Sequence, residues 1–211
     1  MSEGLEQLAG RIARLEAQEQ IRQLPAKYAL ALDMRDLDAL VGLFAADVRV
    51  GRGASGRQAL RAYMDTTLRS PFTGTSHHIG GHIIDLVADD RAQGIVYSKN
   101  EHETGDRWVA MQMMYADDYV RRDGQWSFER RLPLYWYAAD LRDPPVGDNK
   151  MRWPGSDWAE GNFHALFPSF AEFWARQGDD GSPVPEPAPL GTFLATMRRG
   201  QAAPRVQVRA P

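Results

Sequence analysis

The chain contains no cysteine. Disulfides, thiolate zinc sites and cysteine nucleophiles are therefore excluded. Neither sign of charge predominates: 25 Lys and Arg against 28 Asp and Glu leave a net charge of -3, no electrostatic reason to expect nucleic acid or an anionic membrane surface. No apolar run approaches the roughly 18 residues that a membrane span needs. The opening "MSEGLEQLAG" lacks the basic start and apolar stretch of a signal peptide. Together these absences point to a soluble cytoplasmic protein that engages neither nucleic acid nor membrane. Histidine is also scarce, with five in 211 residues, and three of them fall in "HHIGGH" at 77–82.

Hydrophobic residues make up 43% of the chain, enough for one sizeable core. Leu5, Leu8, Ile12 and Leu15 recur at helical spacing and predict an amphipathic helix over 3–18. A second helix is expected from Gln18 to Met34, with Ile21, Leu24, Tyr28 and Leu32 on one stripe and a start or kink at Pro25. Asp36 reads as the N-cap of a short helix whose Leu37, Leu40, Val41 and Phe44 face inward. "VRV" reads as a first strand, "GRGASG" as a loop and "RQALRAYMDTTLRS" as another helix.

From Thr75 the texture changes to four strand-like runs, "SHHIGGHIIDLV", "AQGIVYSKNEHE", "WVAMQMMYADDYVRR" and "QWSFERRLPLYWY". Asp123-Gly124 between the last two is a two-residue hairpin signal. Helices first and antiparallel strands afterwards describe an α+β domain. That segregation also disfavours a dinucleotide site at Gly51, Gly53 and Gly56, which needs alternating βαβ units, so these glycines read as a turn. Beyond Asp140 the chain is rich in Pro, Gly and aromatics. "FHALFPSFAEFWARQ" reads as a short helix, "DDGSPVPEPAPLG" as a proline-rich linker and "TFLATMRRG" as a last helical turn.

For the histidines, strict alternation along a strand puts His78 and His82 on one face and His77 on the other. Residues i and i+4 on a strand lie about 13 Å apart, too far to share one ion. With no H-x-D or HExxH spacing, no metal or other cofactor is expected. A general base instead needs an imidazole facing a cavity and a carboxylate to fix its tautomer. Asp33, after "YALAL", stands out as that carboxylate, although pattern alone favours a solvated residue at a helix end. Spacing does not bring Asp33 and His77 together.

Three motifs in order supply a further reading: a D-x-R-D-x-D-x-L-x-x-L-F-A-x-D-V run from Asp33, a T-x-H at 75–77 before the long strand, and R-R-D-G-x-W at 121–126. In this order they resemble SnoaL-like proteins of the nuclear transport factor 2-like superfamily over about residues 10–140. The resemblance implies a cone-shaped α+β barrel, N-terminal helices packed on a curved, mostly antiparallel sheet around a deep apolar pocket, with a C-terminal extension. It divides the chain into a barrel domain at 1–140 and an aromatic- and Pro-rich extension at 141–211, a lid or an oligomer contact.

Within the superfamily the chain is most similar to cofactor-free lyases, such as dehydrochlorinases and dehydratases. There an Asp at the end of the second helix pairs with a His on the first long strand. Those positions fall on Asp33 and His77, without a gap, whereas His78 requires one. The resemblance implies these two as catalytic residues. Around them, Tyr28 and Lys27 are candidate proton donors, and His78, His102, Tyr135, Tyr137 and Trp153 candidate substrate contacts. His82 reads as a strand residue or a further hydrogen-bonder. Of Arg130 and Arg131, one is expected to pair with a carboxylate and the other to be surface. His164, in the aromatic tail, has no placement.

The implied function is a cofactor-independent lyase acting on an aromatic small molecule. Its leading form removes formaldehyde and water from a lignin-derived diarylpropane diol to give a stilbene. The alternatives are a dehydratase, isomerase or cyclase of polyketide or steroid type, and a non-catalytic ligand-binding module. Because "VAMQMMY" offers apolar side chains on both faces and an isolated cone leaves its convex side bare, a homo-oligomer, trimer or dimer, is expected to involve the tail.

Overall fold

The computed structural model describes residues 2–69, 71–176, 178, 181–183, 186–187 and 190–197. A single helix α1 (Ser2–Asp33) opens the chain, followed by α2 (Leu37–Gly42), a two-residue hairpin of β1 (Arg49–Val50) and β2 (Ala54–Ser55), and α3 (Arg57–Arg69). Four long strands follow: β3 (Gly74–Ala88), β4 (Arg91–Thr104), β5 (Arg107–Arg122) and β6 (Gln125–Asp140). The extension carries α4 (Ser169–Ala175), a 3₁₀ turn (Leu190–Thr192) and α5 (Phe193–Thr196). None of the described helices is long and apolar enough to cross a membrane.

The sheet is an antiparallel meander in the order β3-β4-β5-β6. Asp123 and Gly124 turn β5 into β6 with φ of 51° and 79°, the left-handed pair that a two-residue turn demands. Asp36 caps α2 through a 2.9 Å bond from the Ala39 amide, and Leu37, Leu40 and Val41 are buried behind it. Gly51 and Gly56 sit at positive φ around the β1–β2 hairpin, as the turn reading requires.

Two expectations are corrected. α1 runs through Pro25 without a break, so the two predicted helices are one. Proline removes one helical hydrogen bond, but Ile21, Leu24, Pro25 and Tyr28 are all buried here, and that packing overrides the local break signal. The histidine faces also differ from simple alternation. Between Ile79 and His82 the register against β4 shifts at Gly80 and Gly81. The added residue returns His82 to the concave side with His77 and leaves His78 exposed.

The concave face builds the main core, where Val96, Met111, Met113, Tyr115, Tyr119 and Phe128 meet Ile21, Leu24 and Tyr28 of α1. The convex face is not bare. Phe163, Leu166 and Leu194 of the extension pack there against Ile95, Met114, Ala116 and Leu134, forming a second core. Buried Asp85 fastens this cover, its Oδ2 accepting the Leu194 amide at 2.6 Å. Along the outer edge of β6, Ala138 exchanges main-chain hydrogen bonds with Lys150 and Arg152, and the Asn162 and Phe163 amides both donate to Tyr135 O. Only glycine fits at 161, since a Cβ there would stand 2.2 Å from Trp136 O. The extension thus covers an edge that would otherwise present unpaired backbone groups.

Candidate active site

Asp33 ends α1, and Arg35 reverses the chain behind it with φ at 59°, a left-handed conformation unusual outside glycine. The Arg35 guanidinium steadies that turn, donating from Nη1 to Leu32 O at 2.8 Å and to Thr75 Oγ1 at 2.7 Å. Arginine has only donors, so the Thr75 hydroxyl proton is free to point onward, to Asp33 Oδ1 at 2.9 Å. The same oxygen lies 2.6 Å from His77 Nδ1, and Asp33 Oδ2 accepts the His77 main-chain amide at 2.8 Å. The carboxylate only accepts, so Nδ1 carries the proton and Nε2 keeps its lone pair.

The Asp33 and His77 side chains are 14% and 5% exposed, little enough for their charges to be weakly screened. Burial pushes the Asp33 carboxyl up, but the His77 ring, its amide and charge, and the Thr75 hydroxyl together hold it below the ordinary carboxylate value. Asp33 therefore remains ionised beside the His77 ring.

His102 lies next to the dyad, its ring 5.7 Å from that of His77. Burial first, then the neighbouring His77, pulls it down to about 4, so it is neutral at pH 7. Its buried Nδ1 has no hydrogen-bond partner among the described residues. Phe72 and Trp153 stand against it at 4.8 and 5.6 Å and roof this end of the barrel. Outside the roof is a cleft of about 370 Å³ between Arg35, Leu37, Leu68 and Phe72.

Deeper in, β5 presents Met111, Met113, Tyr115, Asp117 and Tyr119 to the interior in alternation. Asp117 is fully buried and takes Nε and Nη2 of Arg131, both at 2.9 Å, together with the Tyr119 hydroxyl at 2.9 Å. Burial raises the Asp117 carboxyl against the pull of Arg131, while Asp117 more than offsets the burial of the guanidinium and keeps Arg131 charged. The guanidinium carbon lies 4.4 Å from the Tyr28 ring centre and 4.0 Å from that of Tyr115. The buried Arg131 Nη1 has no hydrogen-bond partner among the described residues. His82 Nε2 meets the Tyr119 hydroxyl at 3.0 Å over Gly94, where any side chain would collide with both rings. Asn100 and Ser98 line the middle, Ser98 donating to the Asn100 amide oxygen.

The residues singled out by sequence divide accordingly. Tyr28, His77, His102, Tyr135 and Trp153 belong to the buried interior or its roof, and burial raises the phenols of Tyr28 and Tyr135 so that both hold their protons. Lys27 is exposed and does not share the buried face of Tyr28. His78 is exposed and its Nε2 lies 3.3 Å from Ser76 Oγ. Tyr137 is corrected to the convex side: Tyr135 faces Met113, the strand bulges at Trp136, and Tyr137 pairs with Gln112 on the opposite face. His164 stacks on Phe170 at 3.8 Å beside a convex-face cleft of about 410 Å³ that is separated from the dyad by the sheet. Arg131 is the paired arginine and Arg130 the exposed one.

Thr75 and Arg35 stand in the quoted motifs with no role assigned to them there, and the sequence reading does not name Phe72, Asn100 or Asp117. Of these three, Asp117 carries a signal, as the single acid in an inward row of apolar residues.

A SnoaL-like domain matches residues 13–132. No curated protein matches the chain. Among solved structures, a candidate scytalone dehydratase from Novosphingobium aromaticivorans is 25% identical with a TM-score of 0.55, over 70% of this chain and 99% of that one. The hexachlorocyclohexane dehydrochlorinase LinA-type3 of Novosphingobium barchaimii is 19% identical with a TM-score of 0.57, over 62% and 94%. The latter likeness is one of fold. With its matched domain spanning more than half the chain and the helices and curved sheet of these neighbours, the protein belongs to the SnoaL-like family of the nuclear transport factor 2-like superfamily.

Proposed function

We propose that the protein is a cofactor-independent lyase for an aromatic small molecule, with His77 as general base and Asp33 holding it. The observation that carries this reading is the 2.6 Å contact between Asp33 Oδ1 and His77 Nδ1 inside a nearly dry, aromatic-walled interior. An imidazole held this way takes a proton through Nε2, and the adjacent carboxylate stabilises the imidazolium that forms. Tyr28, buried and protonated, is the acid that meets the leaving oxygen, and the Arg131 guanidinium against its ring favours the phenolate left behind. Residues 1–140 form the catalytic body in this reading. The extension at 141–211 contributes Trp153, which moves aside to admit the substrate.

The leading substrate is a 1,2-diarylpropane-1,3-diol. His77 removes the proton of the terminal hydroxyl and the C–O bond becomes the carbonyl of formaldehyde. The C2–C3 electron pair becomes the C1–C2 double bond of the stilbene. The C1 hydroxyl leaves as water with a proton from Tyr28. An arene para to an oxygen assists by delocalising the charge that develops at C1. Tyr28, Phe72, Tyr115, Tyr135 and Trp153 suit two rings, because planar faces bury well against aromatic side chains.

A plain dehydratase is the second reading, favoured by the likeness to a candidate scytalone dehydratase. It uses the same base and acid but takes the proton from carbon. Incubation with a phenolic diarylpropane diol separates the two: stilbene absorbance with an equal amount of free formaldehyde supports the first. Loss of water with all carbons retained supports the second. No change with either class of substrate, while an aromatic ligand still binds, leaves the binding module.

A further inference from the structure

The first half of α1 has an apolar stripe that its own body does not use. Leu5, Leu8, Ile12 and Leu15 are 67%, 50%, 46% and 65% exposed. Every residue from Gly4 to Glu16 is exposed. At 3.6 residues per turn the four aliphatic side chains lie within about 80° of one another. Their mean direction is roughly 170° away from that of Ile21, Leu24 and Tyr28, the stripe with which the same continuous helix packs on its sheet. The exposed stripe therefore points away from the molecule's own barrel, and none of the described residues covers it.

We propose that this stripe is a two-heptad seam by which two copies of the chain pair in parallel. The spacing of three, four and three puts Leu5 and Ile12 at a positions and Leu8 and Leu15 at d. Ile at a with Leu at d favours two strands, and here d is leucine twice. The flanking charges fit the same arrangement. Arg11 falls at g and Glu16 at the following e, the two positions that meet across a parallel pair, so each interface has two opposite-charge contacts. In an antiparallel pair g meets g and e meets e, which brings like charges together. This inference stands apart from the catalytic reading and needs no substrate.

The absence of native cysteine makes the test clean. Sedimentation of the full-length protein at tens of micromolar should give twice the 23.7 kDa chain mass. The double variant Leu8→Glu/Ile12→Glu should sediment as a monomer with an unchanged circular-dichroism spectrum, because both side chains are exposed within one chain. Leu15→Cys should oxidise to a covalent dimer many times faster than a control, Asp106→Cys, placed at a 94% exposed side chain. Arg11→Glu should weaken the dimer severalfold, and Arg11→Glu/Glu16→Arg should restore it. A monomeric wild type overturns the proposal, as does a dimer that survives the double glutamate variant. Cross-linking at Leu15→Cys no faster than the control overturns the parallel seam.

Discussion

Asp33 grips His77 at two points, the ring Nδ1 at 2.6 Å and the main-chain amide at 2.8 Å. The second bond fixes where the strand passes, and the first fixes how the ring turns. A residue 44 positions earlier in the chain thus sets both the location and the tautomer of the imidazole. Thr75 and Arg35 extend the same support outward.

His77→Ala should lower turnover by about 10²–10⁴, the usual worth of a general base, with ligand affinity changed by less than about tenfold. Asp33→Asn should keep the fold and lose much of the same factor. The double variant should be little worse than either single one, because the pair acts as a unit. Turnover assays of the three variants beside wild type check this. Full activity in both single variants would remove the dyad from the mechanism.

Thr75→Val removes a hydroxyl hydrogen bond that helps hold the Asp33 carboxyl down. The carbon-detected NMR titration of Asp33 should move upward, toward the ordinary value of about 3.9, and turnover should fall with KM nearly unchanged. Thr75→Ser should restore both. An unmoved Asp33 titration in Thr75→Val would mean that the hydroxyl is only packing.

Acid should weaken the fold through two buried imidazoles. His82 and His102 are held down to about 4, each first by burial, then by Arg131 and His77 respectively. Unfolded histidine titrates near 6.5. Between those values the unfolded chain binds protons that the folded chain refuses, so stability is fully present above about 6.5 and falls as pH drops toward 4. The depressed Asp33 contributes in the same sense only lower, as pH falls below about 3.9. Urea denaturation at pH 7.5, 6 and 5 should show the midpoint falling, and His102→Phe should flatten part of that slope. A midpoint independent of pH over this range would contradict neutral buried imidazoles.

Arg131→Met strands the Asp117 carboxylate in the core and should cost about 3–5 kcal/mol, as breaking a buried pair does. Arg131→Met/Asp117→Leu should recover much of the loss, since a well-packed apolar pair often replaces a buried ion pair at little cost. Neither variant should turn over substrate if Arg131 supports the Tyr28 phenolate. Thermal melts and turnover assays on the pair of variants separate the two effects.

What was legible in the sequence was whatever depends on local chemistry. The alternation of β5 and β6, the Asp123-Gly124 turn and the Asp36 cap each follow from a period or a conformational demand within a few residues. Pro25 misled because its break signal is local, whereas the burial of Ile21, Leu24 and Tyr28 is not. Alternation already sets His78 opposite His77, which rules it out as a pocket contact, whereas His82 and Tyr137 change face because extra residues at Gly80-Gly81 and at Trp136 reset the two-residue period. The contact of Asp33 with His77 has no local signature, and only family resemblance suggested it. Which of Arg130 and Arg131 points inward also depends on pairing across strands, set here by Asp117.

Successive residues of β5 answer to different masters, with Met113 and Tyr115 in the barrel and Met114 and Ala116 beneath the extension. The extension and the barrel interior are thus two tenants of one wall. A lineage cannot rebuild one without constraining the other, because a larger residue at Met114 tilts the backbone that carries Met113 and Tyr115. Inheritance of the extension should therefore leave a mark outside it. Relatives that lack residues 160–197 should have polar or smaller side chains at the positions of Ile95, Met114 and Leu134, and those that keep it should hold all three apolar.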